Sequence, residues 1–319
     1  MSLRVVVTGG AGFIGSHVVE ALIEAGHSVL VIDDLSSGNL DWVHKTALFW
    51  HANLLDLDLD RSAYRTSMKT FFSEPDALIN MASKTFIPDC EANPEWAIQN
   101  NIIACQNALQ AIPARWVIQW SSSEVYGNAQ EFPIKEIHRP RPISVYATSK
   151  LAQECLAWRR KDATVTVVRM FNAFGPRETH PYIVPEIIRQ AESGKIFLGN
   201  IEAKRDFTYV EDVGRAVVAL LKCWPEIGRT WGIFNICSGE EQSISTIIDA
   251  AARALGRKVD MEVCADRLRE RDVQRLQGDS SLFRELTGWR PSVSFEDGIT
   301  RTVKWFMDNN KRWGYSDGS

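Results

Sequence analysis

Tyr146 and Lys150 stand four residues apart in the run Tyr146-Ala147-Thr148-Ser149-Lys150. On a helix, residues at that spacing share a face, so the ammonium can lie beside the phenol. A neighbouring cation lowers a phenol's pKa from its ordinary ~10 toward neutrality. A phenol tuned in this way can take a proton from an alcohol while a hydride leaves the same carbon. Read alone, the spacing also fits any helix face that carries a Tyr and a Lys. Its meaning depends on what else reaches the same place. The segment Ser121-Ser122-Ser123-Glu124-Val125-Tyr126-Gly127 comes earlier in the chain. The apolar run before it reads as a strand. The serines then fall just past the strand's carboxyl end, the edge at which open α/β sheets bind ligands. A hydroxyl there can hydrogen-bond the oxygen being oxidised and relay its proton, or it can simply cap a turn. Glu124 adds a carboxylate that can serve as a base.

A departing hydride needs an acceptor. Thr8-Gly9-Gly10-Ala11-Gly12-Phe13-Ile14-Gly15 lies between the strand-like run Val5-Val6-Val7 and a helical period from Phe13 to Ala25. Glycines at 9, 12 and 15 permit a tight turn, close approach to a pyrophosphate and close packing of helix on strand. The helix N-terminus adds unpaired N–H groups and the positive end of a dipole. Asp33 ends the next apolar run, Val29-Leu30-Val31-Ile32. Its carboxylate can accept hydrogen bonds from adenosine ribose hydroxyls and would repel a 2′-phosphate, so the expected cofactor is NAD rather than NADP.

These residues need a frame to hold them. Ser28–Asp33, Phe49–Ala52, Ala77–Met81, Trp116–Trp120 and Thr164–Arg169 read as further strands, with helical segments between them. Apolar strands alternating with helices predict a parallel sheet covered on both faces. The predicted fold is α/β. A Rossmann-type doubly wound parallel sheet spans residues 1–172 and carries the Ser/Tyr/Lys set. A smaller C-terminal α/β substrate lobe spans residues 173–319, with some segments returning to the first domain. Gly175-Pro176, His180-Pro181 and Val184-Pro185 punctuate the junction. Helices are expected at about 185–193, 211–223, 243–255 and 295–309, with a strand at Trp231–Ile236 and a polar tail after Trp313.

Composition narrows the function classes. The net charge is −4 and no run of like charges stands out, so neither nucleic acid nor an anionic membrane is an expected partner. The cysteines at 90, 105, 155, 223, 237 and 264 form no Cys-x-x-Cys and no Cys/His cluster, which predicts reduced thiols and no metal. No apolar run reaches the ~18 residues of a membrane helix. The first strand-like run begins at Arg4, leaving no room before it for a signal peptide, so a cytoplasmic location is expected.

The glycine spacing is G-x-x-G-x-x-G. With Thr8-Gly9-Gly10, the chain resembles the extended short-chain dehydrogenase/reductase family of NAD-dependent nucleotide-sugar epimerases and dehydratases, over nearly its whole length. Asn80-Met81-Ala82-Ser83 stands where that family has a His-Leu-Ala-Ala-like run, and Asn101 matches its Asn in the following helix. The resemblance implies a catalytic set of Ser122, Ser123, Glu124, Tyr146 and Lys150. It implies a cofactor site of Gly9, Gly12, Phe13, Ile14, Gly15, Asp33, Ser37, Gly38, Asn53, Leu54, Met81, Ala82, Ser83, Lys84 and Asn101, together with Tyr146 and Lys150. Arg169-Met170-Phe171-Asn172 and Gly175-Pro176 are similar to a family run whose Asn contacts the sugar-nucleotide phosphate. Arg205 and Arg269 match the two diphosphate-binding arginines, whose forks donate paired hydrogen bonds to phosphate oxygens. The implied substrate set is Lys84, Ser122, Glu124, Asn172, Val184, Arg205 and Arg269. Arg169 reads as structural, and Asp212 as the cap of a helix beginning near Val213.

The segment around Glu124 looks like the Ser-Thr-Asp-Glu-Val-Tyr-Gly run of nucleotide-sugar 4,6-dehydratases. It looks closer still to the Ser-Thr-Ser-Glu runs of GDP-mannose dehydratases and UDP-glucuronate decarboxylases. Once C4 is a ketone, the C5 proton is acidic. Glu124 could remove it, and the enolate could expel the C6 hydroxyl. The family's Asp is Ser123 here, so the acid that protonates the leaving hydroxyl stays open among Tyr146, water and another loop residue. The expected function is an NAD-dependent dehydratase of a UDP-hexose or UDP-hexosamine, giving a 4-keto-6-deoxy or a 5,6-ene sugar. The run is also similar to the UDP-hexosamine 5,6-dehydratase class of tunicamycin biosynthesis. Other readings stay open: a UDP-sugar 4-epimerase in which Glu124 is no base, a UDP-uronate decarboxylase using Lys84 and Arg177 as cations, or a non-enzymatic NAD-bound sensor. The resemblance also implies a homodimer formed by helices at about 95–111 and 145–160.

Overall fold

The computed structural model describes residues 2–57, 72–178, 180–223, 232–264 and 273–309. The first half supplies strands β1 (Arg4–Thr8), β2 (Ser28–Asp33), β3 (Leu48–His51), β4 (Ala77–Asn80), β5 (Trp116–Ser122) and β6 (Thr164–Met170). The second supplies β7 (Asn172–Phe174), β8 (Lys195–Leu198), β9 (Lys204–Tyr209), β10 (Gly232–Ile236), β11 (Glu241–Ser243), β12 (Asp260–Val263) and β13 (Arg275–Leu276). Seven of them form one sheet in the order β3-β2-β1-β4-β5-β6-β10. Every pairing in it is parallel. The order reverses between β1 and β4, where a doubly wound sheet opens its ligand crevice. Val5, Val6, Val7, Leu78, Ile79, Val117 and Ile118 are fully buried. Burying such side chains stabilises the fold by about 1.5–3 kcal/mol each, which explains why these runs are apolar on both faces.

Helices α1 (Phe13–Glu24), α2 (Ile87–Ala92), α3 (Pro94–Ile98), α4 (Ala104–Ala111) and α5 (Val145–Ala157) belong to the first half. A π-helical turn, Gln99–Ile103, joins α3 to α4. The second half adds α6 (Ile183–Ala191), α7 (Val210–Lys222), α8 (Ile244–Leu255), α9 (Ser281–Thr287) and α10 (Phe295–Asp308). There β9 pairs with β7, β11 and β13, and β8 pairs with β12. A separate core of Phe174, Ile187, Ile188, Phe207, Ile247 and Ile299 holds this part together.

Two structural residues differ in how well their sequence reading holds. Arg169 is structural, as expected. Its Nη2 and Nε donate to Glu154 at 2.8 and 3.0 Å. Ser121 Oγ donates to the same carboxylate at 2.5 Å, and the guanidinium lies 4.8 Å from the Tyr126 ring. Both partners of the pair are 3% exposed. Glu154→Gln leaves a buried cation uncompensated and is expected to cost about 3–5 kcal/mol in urea unfolding. A loss below about 1 kcal/mol would show that the pair does not anchor the sheet edge. Asp212, in contrast, does not cap a helix at Val213. The helix starts at Val210 with Tyr209 as its cap residue. Asp212 instead accepts from Ser292 N–H at 2.9 Å and Val293 N–H at 3.0 Å, tying α7 to the chain ahead of α10. Trp231 and the tail after Trp313 lie outside the described residues.

Candidate active site

Parallel pairing aligns the carboxyl ends of the strands. Thr8 is in register with Ile32 and Asn80, and Ser122 with Met170. The loops that leave β1, β2, β4, β5 and β6 therefore share one edge. At β1, Gly9 takes φ +71°, and a Cβ on it would sit 2.9 Å from Ala82 N. A Cβ on Gly15 would sit 2.1 Å from the Gly9 carbonyl oxygen, so only glycine lets α1 close onto the loop. Gly15→Ala is expected to cost about 1–3 kcal/mol of strain. Calorimetry should then read dinucleotide affinity about tenfold or more weaker; unchanged affinity would mean that the loop does not hold the pyrophosphate.

The loop fits a dinucleotide on this structure's own terms. Gly12 caps α1 without a side-chain hydrogen bond, so the N–H groups at half-buried Phe13 and Ile14 have no side-chain cap. Asp33 accepts from Ala11 N–H at 3.0 Å and Leu35 N–H at 2.8 Å, and each oxygen keeps a lone pair for a ribose hydroxyl. Burial pushes its carboxyl up, and the two N–H groups oppose that shift. Gly38 lies against Ala11, while Ser37 is exposed. Asn53 and Leu54 have structural duties. Asn53 Oδ1 caps a short turn by accepting from Leu55 N–H at 2.9 Å, and Leu54 packs in the core. Met81 and Ala82 donate their N–H groups to Thr8 Oγ1 at 3.1 and 3.2 Å. Lys84 donates to Ser36 Oγ. Its backbone is held by Asn101, whose Oδ1 accepts from Lys84 N–H at 2.7 Å.

Helix α5 brings the central pair together. Ser144 Oγ caps it by accepting from Ala147 N–H at 3.0 Å. Tyr146 is then 9% exposed and Lys150 2%. The Tyr146 phenol is hydrogen-bonded to Ser122. Ser122 Oγ also accepts from Glu124 N–H at 3.2 Å, at the head of the turn Ser123–Tyr126, in which Ser123 is buried. One expectation is corrected. Burial drives the phenol above its ordinary value, the Ser122 hydrogen bond works against that, and the charges of Glu124 and Cys90 add to it. Lys150 donates instead to Ser83 Oγ at 3.1 Å. Burial brings its ammonium down to about 8, against the charges of Cys105 and Glu154. Lys150 alone therefore does not bring Tyr146 toward neutrality.

On the substrate side, Asn172 opens β7, and its buried Oδ1 has no partner among the described residues. Arg205 lies on β9, with Nη1 donating to the Lys204 carbonyl at 3.1 Å. Val184 is 1% exposed, in the first turn of α6, with its side chain inside the second core. Arg269 lies outside the described residues. Sequence reasoning missed Tyr182, whose hydroxyl meets Thr85 Oγ1 at 2.6 Å and whose ring meets Phe86 edge-on at 5.7 Å. It also missed Glu178, which is 5% exposed and whose Oε2 has no partner among the described residues. No spacing signal pointed to either. Gln153, three residues after Lys150 on the same helix face, carried such a signal. Among the described residues, no three His, Cys, Asp or Glu side chains group as metal ligands. No described helix is long and apolar enough to cross a membrane.

Residues 6–302 match the GDP-mannose 4,6 dehydratase family. The chain belongs to that family. It is an enzyme of the NAD-dependent nucleotide-sugar dehydratases and epimerases in the extended short-chain dehydrogenase/reductase group. A relative, the GDP-6-deoxy-D-mannose reductase of Pseudomonas aeruginosa, is 30% identical over 317 residues, covering 94% of this chain and 95% of its own. The UDP-glucose 4-epimerase of Thermotoga maritima, solved with UDP-glucose, is 29% identical with a TM-score of 0.83, covering 97% of this chain and 100% of that one. The UDP-glucose 4-epimerase of Thermus thermophilus, solved with NAD, is 28% identical with a TM-score of 0.82, covering 96% and 99%. The parallel seven-stranded sheet is the fold of these solved epimerases.

Proposed function

We propose that the protein is an NAD-dependent dehydratase of a UDP-linked hexose or hexosamine, oxidising C4, deprotonating C5 and eliminating water across C5–C6. NAD, when bound, supplies a hydride acceptor and, in its oxidised form, a positive charge that favours a tyrosinate. The glycine loop and the α1 N-terminus hold its pyrophosphate, and Asp33 holds a ribose. Tyr146 receives the C4 hydroxyl proton at its phenol oxygen, with Ser122 Oγ in line between sugar and phenol. Glu124 takes the C5 proton, and the resulting enolate expels the C6 oxygen. Asn172 and Arg205 bind the diphosphate. The product is a 4-keto-6-deoxy or a 5,6-ene sugar, according to which carbon is reduced last.

The observation that carries this reading is the position of Glu124. It lies two residues past Ser122, and its charge acts directly on the Tyr146 phenol. A 4-epimerase oxidises C4, turns the ketosugar and reduces it again, and needs no carboxylate there. The 4-epimerase is nevertheless the second reading, because the two solved relatives named above are UDP-glucose 4-epimerases. A decarboxylase is less well supported. Arg177, one of its two candidate cations, already donates to Glu20 at 2.6 Å and to Ser16 at 3.1 Å. The test is to incubate the purified protein with UDP-N-acetylglucosamine, UDP-glucose and GDP-mannose and to weigh the products. Loss of one water supports the dehydratase, and an isomer of unchanged mass replaces it with the epimerase. The same reading carries a homodimer built on the helices within 94–111 and Val145–Ala157, where Trp96, Ile98 and Ile103 stand exposed. Sedimentation at a dimer's mass is the expected outcome.

A further inference from the structure

A line of buried side chains crosses the middle of the sheet. Register places Thr8, Asn80 and Gln119 side by side on β1, β4 and β5, and Gln153 continues the line from α5. Thr8, Gln119 and Gln153 are 0% exposed and Asn80 is 1%. Buried amides must pair, so the polarity of the row can be read from one end. Thr8 Oγ1 accepts from the Met81 and Ala82 N–H groups, so its own proton goes to Asn80 Oδ1, at 2.8 Å. Asn80 Nδ2 then donates to Gln119 Oε1 at 2.9 Å, and Gln119 Nε2 to Gln153 Oε1 at 3.1 Å. Gln153 is left with its amide N–H groups forward. They donate to Ser83 Oγ at 3.1 Å and to the Asn101 carbonyl at 2.7 Å. Ser83 Oγ also receives the Lys150 ammonium at 3.1 Å. Turning any one amide over would set donor against donor, so the row has a single low-energy direction.

We propose that Gln153 is a positioning residue for Lys150: it holds Ser83 with a lone pair toward the ammonium, and the row from Thr8 fixes which end of its amide does so. The sheet register next to the glycine loop thereby sets the place of the lysine. Asn80 and Ser83, the two polar residues of the Asn80-Met81-Ala82-Ser83 run, are the two that the row needs. The arrangement is independent of whether the site dehydrates or epimerises. The titratable groups acting on Lys150 are Cys105 from α4 and Glu154 from α5, with Tyr146 one turn away. Glu154 is committed to Arg169. Ser83 is therefore a neutral acceptor whose loss can be read directly on the lysine.

The experiment titrates Lys150 in the full-length protein, with and without added NAD, by the 13Cε and 15Nζ shifts of labelled lysine. Lys150→Met assigns the signal. Hydrogen bonds to the ammonium favour its charged form, so Ser83→Ala should lower the midpoint by about one pH unit. Gln153→Met, which fills a similar volume, should lower it in the same direction. The double variant should match Ser83→Ala alone, because Gln153 acts through Ser83. Should Gln153→Met fail to fold, Thr8→Val at the far end of the row should also lower the midpoint. An unchanged midpoint in Ser83→Ala would overturn the proposal, as would a Gln153 effect that persists in full once Ser83 is gone.

Discussion

Glu124→Gln is expected to lose dehydration by about 10²–10⁴-fold, the range for removing a positioned general base. The substitution keeps the side chain's length and removes only its basicity. Ser122 still caps the turn through the Glu124 backbone N–H, a contact that the amide side chain does not alter. Oxidation at C4 does not use this carboxylate, so a C4 ketone should still form in the variant. Trapping with borodeuteride should place deuterium at C4 of recovered sugar while the water-loss product disappears. That split distinguishes a base from a structural acid, because a collapsed turn would abolish both. Dehydration within about tenfold of the wild-type rate would remove Glu124 from the chemistry.

Tyr146→Phe is expected to cut every turnover, dehydration and C4 oxidation alike, by about 10²–10⁴-fold. The ring packs with Cys90 and Ala97, and phenylalanine preserves that packing. Only the oxygen hydrogen-bonded to Ser122 is lost. Nucleotide-sugar affinity should stay near the wild-type value, because the phosphate contacts assigned to Asn172 and Arg205 lie elsewhere. A fall in kcat without a rise in KM is the signature of a group that acts only in the transition state. A variant that keeps kcat would show that the phenol is not the proton carrier.

The main sheet is legible in the sequence because parallel strands buried on both faces must be apolar throughout. Val5-Val6-Val7, Val29–Ile32 and Trp116–Trp120 announce themselves in that way. The glycine loop is legible because Gly15 cannot be anything larger against the Gly9 carbonyl. Tyr146 and Lys150 are legible as a helical pair, but the direction in which Lys150 points is not. Its acceptor, Ser83, follows β4, and only the folded register brings it to α5. The same limit hides the amide row, whose members are far apart in the chain and meet only across strands and from α5. It also hides the sheet that Gly232–Ile236 joins, since its partner β6 ends at Met170. The phenol's upward shift is hidden for a related reason. Helical spacing suggests a cation beside the phenol but reports neither the ammonium's turn to Ser83 nor the desolvation that raises the phenol. The role of Asp212 is not legible because a carboxylate near a helix start has two uses, and the loop at Ser292 that claims it comes much later in the chain.

The assignment of Glu124 as the C5 base can be tested on the C5 hydrogen itself. Purified protein is given UDP-glucose and UDP-N-acetylglucosamine carrying deuterium at C5, and the product is read by mass and NMR. The account predicts a product that has lost one water and the C5 deuterium together, with both losses suppressed in Glu124→Gln. A product that keeps its C5 deuterium in full, whether isomerised at C4 or not, would contradict it.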